Sequence, residues 1–228
     1  GDANALADYL QLRFDTRPLK NFFAGLDDFL RGAIGFAPGL RILKQDPWEC
    51  LCGFILSSTK QVAHIKQIWG TVSARHGGSV EWEGRRFHRF PQPDMIASLD
   101  ENQLRDCKMG FRARYLLASA RAVASGKIRL DVPGELSTRE ARAYLMRLPG
   151  VGAKIADCVL LYAYRKYDAF PRDVWINRVL QRIYFRGRKK PSNEKMEKFI
   201  GDYFGPYAGY AQQFLFHYVR LNPAVLDF

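Results

Sequence analysis

Apolar residues recur at the three- and four-residue spacing of amphipathic helices along most of this 228-residue chain. The spacing predicts an all-α, mostly helical fold. Asp46 and Pro47 are typical of a helix start, and Ser137 with Glu140 predicts a capping box at another. The predicted helices cover residues 7–14, 19–30, 47–55, 62–72, 94–99, 101–108, 112–124, 137–147, 152–164, 173–185, 193–204 and 208–221.

One segment departs from this pattern. Residues 80–87 alternate briefly around Glu83 and Gly84, which predicts a short β-hairpin. No run of about 18 apolar residues is present, so the sequence predicts no membrane span. Residues 1–4 lack the basic and apolar regions of a secretory signal.

The composition of the chain indicates which class of molecule it binds. The chain carries 35 Lys and Arg against 23 Asp and Glu, a formal net charge of +12. Such an excess favours a polyanionic partner, with nucleic acid as the first candidate, although many basic proteins bind no nucleic acid.

The cysteines indicate neither disulfides nor a metal cluster. Their spacing matches no zinc site and no four-cysteine iron–sulfur site, and cysteines in apolar segments are usually small buried residues. A reducing compartment is the simplest interpretation. The four are Cys50, Cys52, Cys107 and Cys158.

The segment LPGVGAK at residues 148–154 joins two predicted helices. Pro149 ends the first helix, and Gly150 and Gly152 permit a tight turn that opens directly into the next helix. Free amides at such a helix start form an anion site, so residues 138–164 predict a helix-hairpin-helix element that holds a DNA phosphate. The alternative is an ordinary corner between two helices.

Two residues near this turn can carry chemistry. Lys154 lies in the first helical turn, where its charge opposes the helix dipole and favours the neutral amine that forms a Schiff base. Asp173 precedes another helix, where a carboxylate could stabilise a cationic sugar. The alternatives are a surface lysine that contacts phosphate and an aspartate that only caps its helix.

Together these blocks resemble the 8-oxoguanine DNA glycosylase/AP lyase branch of the helix-hairpin-helix (HhH-GPD) DNA glycosylase superfamily. The resemblance extends from about residue 2 to 222 and includes an aspartate nineteen residues after the lysine. It is carried by QDPWEC at residues 45–50, MGFRARY at 109–115, LPGVGAKIADC at 148–158 and GPYAGYAQ at 205–212.

The resemblance implies a role for each matching residue. Lys154 is the nucleophile that attacks the sugar C1′, and Asp173 is the catalytic aspartate. Cys158 packs on one face of the flipped base, Phe216 stacks on the other, and Gln212 binds its Watson–Crick edge.

The resemblance also implies a DNA-binding surface, with three departures from the family pattern. Thr59 and Lys60 replace an asparagine-rich turn, His64 stands where an arginine is common, and Trp175 stands where many members have histidine. The implied DNA-binding residues are Pro149, Gly150, Val151, Gly152, the wedge Phe111, Arg112 facing the orphaned cytosine, Thr59, Lys60 and His64. A possible K⁺ or Na⁺ ion would be held by the backbone carbonyls of Met146, Leu148 and Val151.

As a whole, residues 1–228 are expected to form a single bilobal glycosylase module that lacks the N-terminal antiparallel sheet domain of longer relatives. The implied function is a bifunctional repair enzyme that excises 8-oxoguanine and cleaves the abasic strand. The alternatives are a glycosylase for a different damaged purine and a non-catalytic DNA-binding module. We expect no required cofactor, no iron–sulfur cluster, and an intracellular monomer that acts on damaged double-stranded DNA in the nucleoid or nucleus.

Overall fold

The computed structural model describes residues 2–57, 62–186 and 191–226 and is mostly helical, as the apolar spacing predicts. Its hairpin consists of β1 (Ser79–Trp82) and β2 (Arg85–His88). The helices are α1 (Ala3–Tyr9), α2 (Arg17–Leu26), α3 (Asp28–Phe36), α4 (Pro47–Ser57), α5 (Val62–His76), α6 (Pro93–Ala97), α7 (Glu101–Arg105), α8 (Arg112–Ala124), α9 (Val132–Glu135), α10 (Thr138–Leu145), α11 (Ala153–Tyr164), α12 (Val174–Val179), α13 (Asn193–Phe204) and α14 (Ala208–Leu221).

Side-chain caps explain why several helices begin where the sequence predicts. The Asp46 carboxylate accepts the Trp48 and Glu49 amides, each at 2.9 Å, at the start of α4. At α10, the Ser137 hydroxyl accepts the Glu140 amide and the Glu140 carboxylate accepts the Ser137 amide. These bonds satisfy amides that have no partner within the helix.

The helix predicted over residues 19–30 is wrong, because the chain breaks between α2 and α3. Asp27 is extended, with φ −159° and ψ 163°, and its Oδ1 accepts the Leu30 amide at 2.7 Å. Its Oδ2 accepts hydroxyl hydrogen bonds from Tyr203 at 2.8 Å and Tyr184 at 3.2 Å. Distant tyrosines therefore hold a break that the continuous apolar spacing conceals.

Other helix bounds also differ from the prediction, two of them for a visible reason. The first helix lies at α1 instead of residues 7–14, because Asp2 caps it and Gln11 adopts a positive φ of 55°. The helix predicted over 173–185 ends at Val179, where a π-helical turn, Leu180–Tyr184, takes over.

The β-hairpin lies where it was predicted. Val80 pairs with Phe87 across an antiparallel register. Glu83 and Gly84 have φ values of 49° and 69°. Two consecutive positive φ values are what a two-residue type I′ turn requires.

The chain divides into two compact units, and the first comprises Gly1–Lys44 and Leu160–Phe228. Within it, α14 packs against α3, α12 and α13, and α2 packs against α3. Burial of large apolar side chains is the main stabilising contribution here. Its core includes Phe23, Leu30, Phe204, Tyr210, Phe214 and Leu215.

The second unit comprises Gln45–Val159. Its central helix is α8, which packs against α4, α6 and α7, while α5 packs against α4 and β2. The division falls inside α11, so this helix contributes Lys154 and Cys158 to the second unit and Tyr162 to the first. The core includes Leu51, Leu56, Ile68, Ile96, Leu104 and Leu116.

Candidate active site

The turn between α10 and α11 is held by one glycine that tolerates no side chain. Gly150 has a φ of 81°, and a Cβ placed on it would lie 2.6 Å from Cγ of Tyr115. The Val151 amide donates to the Leu148 carbonyl at 3.1 Å and closes the turn. The backbone therefore packs directly on the Tyr115 ring, which only glycine allows.

The hairpin turn has apolar anchors and an exposed rim. Leu148 and Val151 are buried, whereas Pro149, Gly150 and Gly152 are exposed. Helix α11 begins at Ala153, so the amides of its first turn have no partner within the helix. An exposed helix start of this kind attracts anions such as phosphate.

An ion pair joins the two helices of the hairpin. Nε of Arg142 on α10 donates to Oδ1 of Asp157 on α11 at 2.6 Å, and the Asp157 side chain is only 8% exposed. Charge-assisted hydrogen bonds are about twice as strong as neutral ones. Arg142 therefore fixes the direction in which α11 leaves the turn.

Lys154 and Cys158 face residues of α4 that have the same four-residue spacing. The Lys154 ammonium lies 5.4 Å from the centre of the Phe54 ring, a cation–π distance. One helical turn along, burial and then the neighbouring Cys158 raise the pKa of the Cys50 thiol. Cys50 is therefore protonated near neutral pH and packs as an apolar residue.

In the first unit, Asp173 caps α12. Its Oδ1 accepts the Ile176 amide at 2.8 Å, and the carboxylate is only partly buried. The capping role considered from the sequence is thus confirmed, and it fixes the carboxylate on a rigid helix start. Helix α12 packs against α14, the helix that carries Gln212 and Phe216.

Gln212 is buried within a chain of hydrogen bonds, and Phe216 lies one helical turn further along α14. The Gln213 Nε2 donates to Oε1 of Gln212 at 2.5 Å, and the Tyr162 hydroxyl donates to Oε1 of Gln213 at 2.7 Å. Phe216 is partly buried, and the Arg220 guanidinium lies 5.5 Å from the centre of its ring.

Phe111 and Arg112 differ sharply in exposure. Phe111 is 47% exposed and follows Gly110, whose φ is 61°, so its ring suits a wedge. Arg112 is 1% exposed, with its guanidinium carbon 4.5 Å from the Phe111 ring centre. The expected contact of Arg112 with a cytosine would require its guanidinium to leave the interior.

The remaining expected DNA-binding residues lie on or beside α5. Thr59 and Lys60 lie outside the described residues. His64 lies in the first turns of α5 and is partly buried. Trp175, the third departure from the family pattern, is partly buried on α12 beside Arg178, whose guanidinium lies 5.3 Å from a Trp175 ring centre.

The part of the chain that the structure describes offers no cluster of three or more His, Cys, Asp or Glu side chains that could hold a metal ion. All four cysteines are buried and unbridged. None of the helices among these residues combines the length and apolar character that a membrane crossing demands.

Several residues important to this arrangement were not found from the sequence. They are Phe54 beside Lys154, Tyr115 beneath Gly150, Arg142 beside Asp157, and the pair Tyr162 and Gln213 beside Gln212. The spacing of Lys154, Cys158 and Tyr162, four residues apart on α11, is the one sequence signal that includes Tyr162.

Fold and turn together define a helical protein with a helix-hairpin-helix element. The chain belongs to the HhH-GPD superfamily of base excision DNA repair proteins, whose family model matches residues 52–206. Residues 2–51 match the model of the 8-oxoguanine DNA glycosylase N-terminal domain. The described residues ahead of α4 contain helices and no strand.

Two relatives align with almost the whole of this chain. A probable N-glycosylase/DNA lyase of Methanothermobacter thermautotrophicus is 32% identical over 92% of this chain and 72% of its own length. For N-glycosylase/DNA lyase OGG1 of Arabidopsis thaliana the identity is 31%, over 93% of this chain and 60% of that protein. The present chain thus corresponds to about 60–72% of the length of these two relatives.

Two solved structures of the same family are similar to this chain in sequence and in fold. The structure of MBOgg1 with a low-affinity DNA ligand is 37% identical, with a TM-score of 0.90 over 96% of this chain and 75% of that one. The 8-oxoguanine glycosylase/lyase of Clostridium acetobutylicum, bound to double-stranded DNA with cytosine opposite 8-oxoguanine, is 32% identical with a TM-score of 0.90 over the same shares.

Proposed function

We propose that the protein is a bifunctional DNA glycosylase that excises 8-oxoguanine and then cleaves the abasic strand. The observation that carries the proposal is the position of Lys154, in the first turn of α11 directly after an exposed anion-binding turn and beside the Phe54 ring. The similarity to proteins named N-glycosylase/DNA lyase supports the two-step activity.

The reaction begins at the sugar. Lys154 gives up a proton and its nitrogen forms a bond to C1′ as the bond from C1′ to the purine nitrogen breaks, and the purine leaves with a proton on that nitrogen. The partly buried Asp173 carboxylate stabilises the positive charge that develops on the sugar. Opening of the sugar ring then gives an imine, and loss of a C2′ proton with the 3′-phosphate cleaves the strand.

The family resemblance assigns three side chains to the extruded base: a thiol, an aromatic ring and an amide. Cys158 covers one face, the Phe216 ring covers the other, and the Gln212 amide binds the Watson–Crick edge. The Arg220 guanidinium lies 5.5 Å from the centre of the Phe216 ring, and we propose that the base stacks on the other face of this ring. An aromatic ring and a thiol can pack against the face of any base, so the Gln212 amide must discriminate between bases.

The duplex is held without reading its sequence. The rim residues Gly150 and Gly152 present backbone amides to a phosphate, Pro149 shapes the turn between them and α10, and Phe111 enters the stack as a wedge. Met146, Leu148 and Val151 would hold a monovalent cation through their carbonyls. This fit is supported by the closed turn, in which the Leu148 oxygen accepts one amide and retains a second lone pair.

We further propose that residues 1–228 act as one module and as a monomer on damaged double-stranded DNA inside the cell, with no required cofactor. The net charge of +12 supports binding to a polyanion. The relatives of known structure include one bound to double-stranded DNA that contains the lesion.

A glycosylase for another damaged purine is the second candidate. A DNA-3-methyladenine glycosylase of Bacillus subtilis is 28% identical over 70% of this chain. The 3-methyladenine DNA-glycosylase of Archaeoglobus fulgidus has a TM-score of 0.79 at 26% identity. Comparing the release of 8-oxoguanine and 3-methyladenine from matched duplexes decides between the two substrates.

The proposal is tested with a duplex that carries 8-oxoguanine opposite cytosine. The wild-type chain should release the free base and nick the strand, whereas Lys154→Gln should do neither and still bind the duplex. Lys198→Gln is the matched control, because Lys198 forms an exposed ion pair with Asp202. A Lys154→Gln variant with full excision activity would refute the assigned nucleophile, and duplex binding without any excision by the wild type would leave only a binding module.

A further inference from the structure

Two neighbouring glutamines on α14 hydrogen-bond to each other. Residues adjacent in a helix point in different directions and do not ordinarily meet. Here the Gln213 Nε2 reaches Oε1 of Gln212 at 2.5 Å, and the Tyr162 hydroxyl donates to Oε1 of Gln213 at 2.7 Å. The result is a directed chain of hydrogen bonds from Tyr162 through Gln213 to Gln212.

This chain determines which atom of each amide points where. A glutamine amide has an acceptor oxygen and a donor nitrogen of nearly equal size, and its last torsion is broad, so a free amide flips easily. The Tyr162 proton selects the Gln213 oxygen. The Gln213 nitrogen then donates a hydrogen bond, which the Gln212 oxygen accepts.

We propose that Tyr162 and Gln213 are positioning residues that hold the Gln212 amide in one orientation and thereby select the purine edge that the enzyme accepts. The inference rests on the proposed function, in which Gln212 binds the Watson–Crick edge of the flipped base. Gln212 is 3% exposed, so an amide turned the wrong way would leave unmatched polar groups inside the protein.

The edge of a base has an order that an oriented amide can recognise. An oxidised guanine presents an acceptor, O6, beside a donor, N1–H. An oxidised adenine presents a donor, the 6-amino group, beside an acceptor, N1. In a slot that holds the ring in one orientation, a fixed amide matches one order, and the flipped amide matches the other.

Two substitutions of Gln213 separate orientation from packing. In Gln213→Glu at pH 8, an ionised carboxylate still accepts from Tyr162 but cannot donate, so Gln212 must turn its nitrogen towards it. In Gln213→Met, the side chain has similar length and makes neither hydrogen bond, so the Gln212 amide is free to flip. Tyr162→Phe removes the hydroxyl that starts the chain.

The measurement is kcat/KM for excision of 8-oxoguanine and of 8-oxoadenine from duplexes of otherwise identical sequence. We expect Gln213→Met and Tyr162→Phe to lower the ratio of the two values about tenfold. Gln213→Glu should lower it by roughly a hundredfold, because two edge contacts become mismatched. Gln92→Met is the control, since the exposed Gln92 makes no side-chain capping bond and should leave the ratio unchanged.

Strand cleavage at a preformed abasic site supplies a second readout, because that substrate has no base edge. If the three variants lower excision and abasic cleavage in parallel, or leave the ratio of the two lesions unchanged, the positioning role is refuted while the proposed function stands. If the wild-type chain excises neither purine, the proposed function itself fails. A ratio that falls in the order given, with abasic cleavage much less affected, establishes the positioning role.

Discussion

Replacing Gly150 with alanine should destabilise the hairpin through two separate effects. The φ of 81° is a left-handed conformation that costs an L-residue about 1–2 kcal/mol. The new Cβ would also lie 2.6 Å from Cγ, 2.9 Å from Cδ2 and 3.0 Å from Cβ of Tyr115. Overpacking of this kind costs about 1–3 kcal/mol, so the expected loss in free energy of unfolding is about 2–5 kcal/mol.

Urea unfolding of Gly150→Ala measures this loss directly, and thermal unfolding should show Tm lowered by roughly 4–20 °C. Gly152→Ala is the matched control for stability, because no heavy atom lies within 4 Å of its added Cβ. In a Tyr115→Ala background the contacts with Cγ and Cδ2 are absent, so Gly150→Ala should cost mainly the backbone term, and the coupling between the two sites measures the clash. Equal stability of Gly150→Ala and Gly152→Ala would refute the reasoning.

Three further predictions concern stability, base binding and pH. Arg142→Ala should lower the free energy of unfolding, measured by urea titration, by about 3 kcal/mol, because it leaves the nearly buried Asp157 without this guanidinium. Arg31→Ala is the control and should cost less than about 1 kcal/mol in the same titration, because Arg31 belongs to an exposed ion pair. Phe216→Ala should weaken binding of a lesion-containing duplex by about 1–3 kcal/mol in a fluorescence titration, and an equal loss with undamaged duplex would contradict a stacking role. Burial raises the pKa of Tyr210 from the ordinary tyrosine value of about 10 to about 12, so its contribution to stability is complete below about pH 10 and is lost as the pH rises through 12. A spectrophotometric tyrosine titration alongside unfolding would contradict this if all tyrosines ionised together near pH 10.

Local signals predicted the elements that depend on local chemistry. Helix α8 begins and ends where the apolar spacing places it, and the Ser137 capping box and the 80–87 hairpin are confirmed by their hydrogen bonds and pairing. The tight turn at Gly150 could also be predicted from the sequence, because a glycine between two helical patterns indicates a positive φ.

Features that depend on residues far apart in the chain could not be predicted from the sequence. The apolar spacing runs through Asp27, and the break there is held by tyrosines about 157 and 176 positions away. No local signal distinguishes an arginine that faces solvent from one that is buried, so the burial of Arg112 had to come from the structure. The hydrogen bonds among Tyr162, Gln213 and Gln212 need two helices packed together, which sequence spacing alone does not determine.

The central claim, that Lys154 is the nucleophile, is tested most directly by borohydride trapping with a duplex that contains 8-oxoguanine opposite cytosine. Reduction fixes the imine, and mass spectrometry of the digested adduct identifies the modified residue. We expect one adduct on the peptide containing Lys154, absent in Lys154→Gln and unchanged in Lys198→Gln. An adduct on a different lysine, or excision that proceeds with no trapped species, would contradict it.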